Sequence, residues 1–368
     1  MKKIIFLGGS LFILFISFKT VFAQMPAETP PPEERHEAQV TAILEEGENE
    51  VGPGVKQPFQ KVEAAISEGP LKGQKVEAQM GGLVLTNDNQ RVKVGDKISV
   101  AHIRNIDGSE QFYVADFIRT DSLYLLMIAF LVSVVAIGGL RGLSSFIGLV
   151  ISLIVLIKYI IPKIASGGDP VFIAVSGSLM ILIASLYLAH GFSKKTTAAV
   201  LGTFFSLILT AFLASLFVSA SKLSGFGSEE ASFLSMFPGM QVNLQGILLG
   251  GIIIGSLGVL DDITISQSAC VFELKNANKN LSWKELYIRG LRIGREHIAS
   301  LVNTLVLAYA GASLPLLLLF TLNGGEPINV LLNREMIATE IVRTVVGSLG
   351  LVAAVPITTA IAAFFNRK

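Results

Sequence analysis

Two adjacent carboxylates, Asp261 and Asp262, stand in the segment GSLGVLDDITISQSACVFEL, residues 255–274, within an otherwise almost uncharged part of the chain. A charged side chain inside a bilayer costs about 2.5–3.5 kcal/mol, so it is kept facing a polar cavity or a partner, where it serves ions, protons or solutes. Thr264, Ser266, Gln267 and Ser268 continue the polar pattern. On a helix Asp262 and Ser266 share one i, i+4 face, and Asp261, Thr264 and Ser268 make a second polar stripe. Neighbouring helical side chains diverge by about 100°, so these two carboxylates cannot share a proton in the manner of an aspartyl protease dyad. Two readings stay open: an ion or solute site inside the membrane, or a helix boundary at headgroup depth with the span ending at Leu260.

The remaining residue types bring no second chemistry. The sequence shows no Ser, His and Asp set, no glycine loop for phosphate and no cysteine and histidine cluster at zinc-site spacing. Neither an enzyme nor a cofactor is expected. The single cysteine, Cys270, has no partner within the chain, so disulfides cannot hold the fold. A net charge of +1, without a basic patch interleaved with aromatics, speaks against nucleic acid. Hydrophobic residues make up 51% of the 368 positions and charged residues 15%, too apolar for a soluble domain of this length. The lipid bilayer is the partner this composition implies.

The elements that would position the carboxylates are apolar runs of about 20 residues, the length that crosses a hydrocarbon core. Seven follow residue 120, at approximately 122–140, 143–161, 170–190, 198–218, 244–268, 298–321 and 339–365. The fifth carries the aspartates, and its uninterrupted stretch, Val242 to Leu274, would be about 50 Å long as a helix. It must tilt strongly, run out into the cytoplasm, or break near the carboxylates. Gly246 with Gly250 and Gly251 with Gly255 are GxxxG pairs that admit a close neighbouring helix. The sixth run offers Asn303, Thr304 and Tyr309, and these are expected opposite Asp261 across a cavity between the fifth and sixth spans. Pro315 and Pro356 predict kinks. Glu340 and Arg343, at i, i+3, are expected to pair.

The N-terminus reads as export machinery: Lys2 and Lys3, an apolar run, then TVFAQ, with residues 1–23 a cleaved signal peptide or an uncleaved anchor helix. Residues 24–36, QMPAETPPPEERH, are proline-rich and charged, a flexible tether. Residues 37–120 alternate in short runs (AQVTAIL, QKVEAAI, QKVEAQM, DKISVAHI, EQFYVADFI) between turn residues, which predicts a small extracytoplasmic β domain of barrel type. Gly95 and Asp96 are placed in a hairpin turn. Residues 121–368 form the membrane domain. With the β domain outside, eleven basic residues fall on cytoplasmic segments against five outside, the bias expected of a cytoplasmic C-terminus. In WKELYIRGLRIG the pattern fits an amphipathic helix on the inner leaflet or a basic topology loop. The expected fold is thus a multi-pass α-helical membrane protein of about seven helices with a small N-terminal β domain, in the bacterial cytoplasmic membrane.

The fifth-span segment, followed by LRIGREHIASLVNTLVLAYAGASLPLLLLF, resembles the signature of the YibE/F-like family of bacterial multi-pass membrane proteins, over roughly residues 120–365. The resemblance places the family's motif aspartate at Asp261 and its small polar stretch at Ser266 to Ala269. Asp262 falls where the family is apolar or variable, and Asn303, Thr304 and Tyr309 match a polar sixth helix. It implies transport. A permease for a small solute or ion, coupled to protons or cations through Asp261, is therefore the expected function. The alternative is an envelope binding or assembly module whose β domain recognises a partner and whose helices anchor it.

Overall fold

The structure is a computed structural model that describes residues 34–52, 55–81, 90–104, 109–236, 243–322 and 327–367. The expected signal or anchor and most of the tether lie outside these residues. The chain forms two compact units that meet in sequence between Ile128 and Ala129.

The first unit is a closed five-stranded barrel of β1 (Glu34–Gly52), β2 (Val55–Ile66), β3 (Lys75–Met80), β4 (Lys97–Arg104) and β5 (Glu110–Phe117), in the order β1-β2-β3-β5-β4. This is the strand order of OB-type barrels. Each of the five alternating runs read from the sequence contributes to a strand. The long β1 closes the barrel by pairing with β4 through residues 34–39 and with β2 through residues 38–52, its register shifting at three points. Such bulges bend a strand enough to join both edges. Period-2 alternation sends Ala38, Val40, Val62, Ala64, Val76, Ala78, Ile98 and Val100 inward, where they form a continuous apolar core. Gln60 is buried beside it, accepting from Val92 N at 2.8 Å and donating to Val92 O at 3.2 Å. The Gly95 turn is present, closed by Asp96 Oδ2 accepting from Lys93 N at 2.7 Å. The first strand expected for that hairpin, residues 92–94, does not form: this segment is irregular, held by Gln60 at Val92 and by Val40 at Gly95 and Asp96, and only the second strand, β4, is present.

The second unit is helical: α1 (Thr120–Val155), a π turn (Leu156–Ile160), α2 (Ile161–Ala165), α3 (Pro170–His190), α4 (Lys194–Ala220), α5 (Glu229–Ser235), α6 (Leu244–Ala277), α7 (Trp283–Ala312), α8 (Leu314–Leu322), α9 (Ile328–Leu332) and α10 (Glu335–Phe365). Among the described residues five helical stretches are long and apolar enough to cross a membrane: 120–165, α3, α4, α6 and α10. Seven were expected, and both differences have a physical cause.

The runs 122–140 and 143–161 fall in one 46-residue stretch, which would be about 69 Å long if straight. It is not straight. Gly139 has φ 58° and ψ −140°, a conformation that excludes side chains. Beyond it the chain doubles back: a methyl group at Gly142 would lie 2.3 Å from Val134 O, and the Phe130 and Phe146 rings are 6.3 Å apart. Residues 16 apart on a continuous helix would be separated by about 24 Å. The sixth run, 298–321, is divided at Ser313 between α7 and α8. Pro315 stands just past that division, where its missing N–H and its ring would oppose continuation of α7. The part of α7 beyond Ile298 is then shorter than a spanning length.

The fifth run is continuous. α6 passes the aspartates without a break and ends only at Ala277, capped at its start by Asn243 Oδ1, which accepts from Gly246 N at 2.9 Å. Of its two GxxxG pairs, Gly246 and Gly250 seat Pro170 and Ala174 of α3, whereas Gly251 is open and Gly255 meets only the Tyr309 hydroxyl. α4 and α10 interlock through small residues: a methyl group at Gly202 would lie 2.2 Å from Thr358 Oγ1. Pro356 lies inside α10, and Arg343 pairs with Glu340 at 3.0 Å.

α7 begins with a capping box, Ser282 and Glu285 each bonding the other's backbone N–H. Its cytoplasm-assigned half was expected to be a separate surface helix or a loop. Instead it is continuous with the rest of α7. Leu286, Gly290 and Gly294 make a buried i, i+4, i+8 stripe. Gly290 approaches Val271 and Thr359, and Gly294 approaches Val355 and Gln267. The spacing that suggested an amphipathic surface also serves to pack against α6 and α10.

Candidate functional site

α6 presents three different faces in the segment that carries the carboxylates, and each predicted site residue of that segment falls on one of them. Thr264, Gln267 and Ser268 are fully buried against other helices. The Thr264 and Thr203 hydroxyls lie 2.6 Å apart, joining α6 to α4. Gln267 Nε2 donates to Gly290 O and to Thr359 Oγ1, each at 2.8 Å, tying α6 to α7 and α10. Ser268 donates to Lys195 O at 2.8 Å. Hydrogen bonds of this kind act as interhelical glue, worth about 0.6–2 kcal/mol each. Asp262 and Ser266 occupy a second, exposed face.

Asp261 occupies the third. It is half-buried and lines a cavity of about 430 Å³ bounded by α1, the π turn, α3 and α6. The polar groups on the wall are Ser145 and Ser152 of α1, Ser185 and His190 of α3, and Asp261; the rest is aliphatic, chiefly Leu149, Leu153, Ile181 and Ile254. Ser185 donates to Asp261 Oδ2 at 3.4 Å. The other carboxylate oxygen, Oδ1, is buried and accepts no hydrogen bond among the described residues. Gly148 lies where α1 meets α3, within contact distance of Ser185. His190 closes α3 at the cavity wall.

This geometry corrects the expected placement. Asn303, Thr304 and Tyr309 do not line the Asp261 cavity. Asn303 and Thr304 are exposed on α7, and Thr304 donates back to Ser300 O of its own helix at 3.1 Å. Tyr309 is half-buried, with its hydroxyl against Gly255. Adjacency in sequence suggested that the fifth and sixth runs face each other at the carboxylate. Glycines 290 and 294 instead bring α7 to the Gln267 face, leaving Asp261 to α1 and α3. Ser145, Ser152 and Ser185 were not singled out from the sequence, and His190 was legible only as an ionisable residue near a span. The hydroxyls sit in ordinary apolar helices, and only the pairing of those helices with α6 distinguishes them.

A helical unit with five membrane-length helices, carrying a half-buried carboxylate on the wall of a cavity and preceded by a small β barrel, defines the class. The family model for YibE/F-like protein matches residues 126–368, and the chain belongs to that family. No curated protein and no solved structure matches the chain.

Proposed function

We propose that the chain is a permease of the bacterial cytoplasmic membrane, not an enzyme, and that Asp261 is a proton or cation site on the path of a small solute or ion. The observation that carries this reading is the state of its carboxylate. One oxygen receives only a long hydrogen bond from Ser185, and the other is buried without a donor. A buried carboxylate oxygen left so is costly by about 1–3 kcal/mol or more, and a proton, a cation or water supplied through the cavity relieves it. A cavity of about 430 Å³ has room for a hydrated ion or a small solute.

In this reading the Gly139 reversal makes two passes of residues 120–165, and α7 with α8 completes the seventh. Gly139, His190 and Asn278 then lie on the cytoplasmic side, with the barrel outside, as the basic-residue bias requires. The His190 end of the cavity is then its cytoplasmic end, and transport requires access from that side to alternate with an outward path. The bilayer is the obligatory partner.

Proteoliposomes containing the purified chain and a trapped pH-sensitive dye test the function when an ion gradient or a solute panel is imposed. Wild-type protein should carry a flux that Asp261→Asn abolishes while Asp262→Asn retains it. Equal flux in wild type and Asp261→Asn would refute the assignment.

A further inference from the structure

The barrel contains a second cluster that the transport reading does not use. Period-2 alternation places His36 on the same inward face of β1 as Ala38 and Val40, and His102 on the same face of β4 as Ile98 and Val100. Antiparallel register sets Glu34 opposite His102 and His36 opposite Val100, so the three side chains gather at one end of the barrel. Both histidines are 7% exposed. His36 Nε2 lies 3.9 Å from Glu34 Oε2, and His102 Nδ1 lies 3.7 Å from the same oxygen. One ligand atom from each residue can be chosen so that all lie within 4.8 Å of one another. The His36 and His102 Nε2 atoms are buried and have no hydrogen-bond partner among the described residues.

We propose that Glu34, His36 and His102 form a binding site for a divalent transition metal ion of the zinc class in the barrel. Two imidazoles and one carboxylate suit zinc and its neighbours, whereas calcium and magnesium prefer oxygen sets. Around a tetrahedral zinc with bonds of about 2.0–2.2 Å the ligand atoms stand roughly 3.4 Å apart. The two measured separations from Glu34 exceed this by a few tenths of an ångström, and Glu34, exposed at the rim, is free to close the difference. His36 contributes Nε2 and His102 contributes Nδ1. His102 Nε2 then faces Glu110 Oε2 at 3.6 Å, just beyond hydrogen-bond length, and a small approach on metal binding would make Glu110 the carboxylate behind a ligating imidazole. Phe112, stacked on the His102 ring at 4.6 Å between centroids, holds the ring plane. Three protein ligands leave a position for water or for a donor group from another molecule.

The test uses the full chain in detergent, purified without a polyhistidine tag and stripped with a chelator. Zinc is titrated by calorimetry and cobalt by its visible absorption. One zinc per chain is expected, with a cobalt spectrum of low coordination number. His36→Gln and His102→Gln should each abolish both signals, and Glu110→Gln should weaken zinc about 10- to 100-fold. Glu34 lies outside the barrel core, so Glu34→Gln should keep the barrel's circular dichroism and lose zinc affinity, which decides the matter if a histidine variant misfolds. No zinc uptake by wild type, or wild-type affinity in Glu34→Gln, would overturn the proposal. Uptake that survives the loss of both His36 and His102 would do so too, by placing the metal elsewhere.

Discussion

Ser185 donates its hydroxyl hydrogen to Asp261 Oδ2 at 3.4 Å, and this is the polar link between α3 and α6 at the cavity wall. The serine also reaches Leu182 O of its own helix at 3.4 Å, so its proton is shared between two acceptors. Ser185→Ala should leave Asp261 in place but remove that donor. A neutral-to-charged hydrogen bond contributes about 1.5–3 kcal/mol at best and a long one less. The expected result is a shift in the pH profile of flux with only a severalfold change in maximal rate. Ser185→Thr should restore the wild-type profile. An unchanged profile in Ser185→Ala would remove this residue from the site.

The proposed topology predicts which face each turn occupies. Ser166 follows α2 and Asn278 caps the end of α6, and both are exposed. In a Cys270→Ser background, Ser166→Cys should react with an impermeant maleimide in intact cells, whereas Asn278→Cys should react only after lysis. The opposite pattern would invert the protein, and labelling of both from outside would mean that fewer segments cross than proposed.

Gln267 predicts a different phenotype from Asp261. Its amide holds Gly290 O and Thr359 Oγ1 at 2.8 Å in a fully buried setting. Gln267→Leu removes two buried interhelical hydrogen bonds, at a cost of about 0.6–2 kcal/mol each, so the variant should melt earlier in detergent. Thr264→Val should cost less, because Thr203 can still donate to Ala199 O at 3.1 Å. Both should retain the pH dependence of flux. A thermal stability equal to wild type would show that the amide does not hold these helices.

How much of this was legible in the sequence follows from the range of each signal. Alternation and turn residues are local, so all five barrel runs could be read directly, as could the divergence of Asp261 from Asp262 and the Glu340–Arg343 pair. Helix partners are not local. Thr264, Gln267 and Ser268 had the composition of a pathway, yet their hydrogen bonds go to α4, α7 and α10. Asn303 and Thr304 had the right polarity but lie on an exposed face. The break between the first two runs was legible at Arg141 and Gly142, but the residue that turns, Gly139, was not, because such a reversal needs only one residue at positive φ. His36 and His102 are 66 positions apart, and no ligand-spacing rule joins them; the β1–β4 register does.

The barrel has its own apolar core and closes its sheet without an unpaired long edge. A fragment spanning residues 34–118 should therefore be soluble, strand-rich by circular dichroism and cooperative on heating. A spectrum without strand content would show that the barrel needs the helical unit in order to fold.

The central claim is that Asp261, and not Asp262, is an ion-exchanging carboxyl in an apolar cavity. A hydrophobic carbodiimide modifies protonated carboxyls in such settings, and peptide mass spectrometry of the treated protein locates the adduct without knowledge of the substrate. The account predicts modification at Asp261, its loss in Asp261→Asn, its persistence in Asp262→Asn, and its suppression as pH rises or as the transported cation is added. Absence of an adduct at Asp261 across the pH range, or equal modification of Asp261 and Asp262, would contradict it.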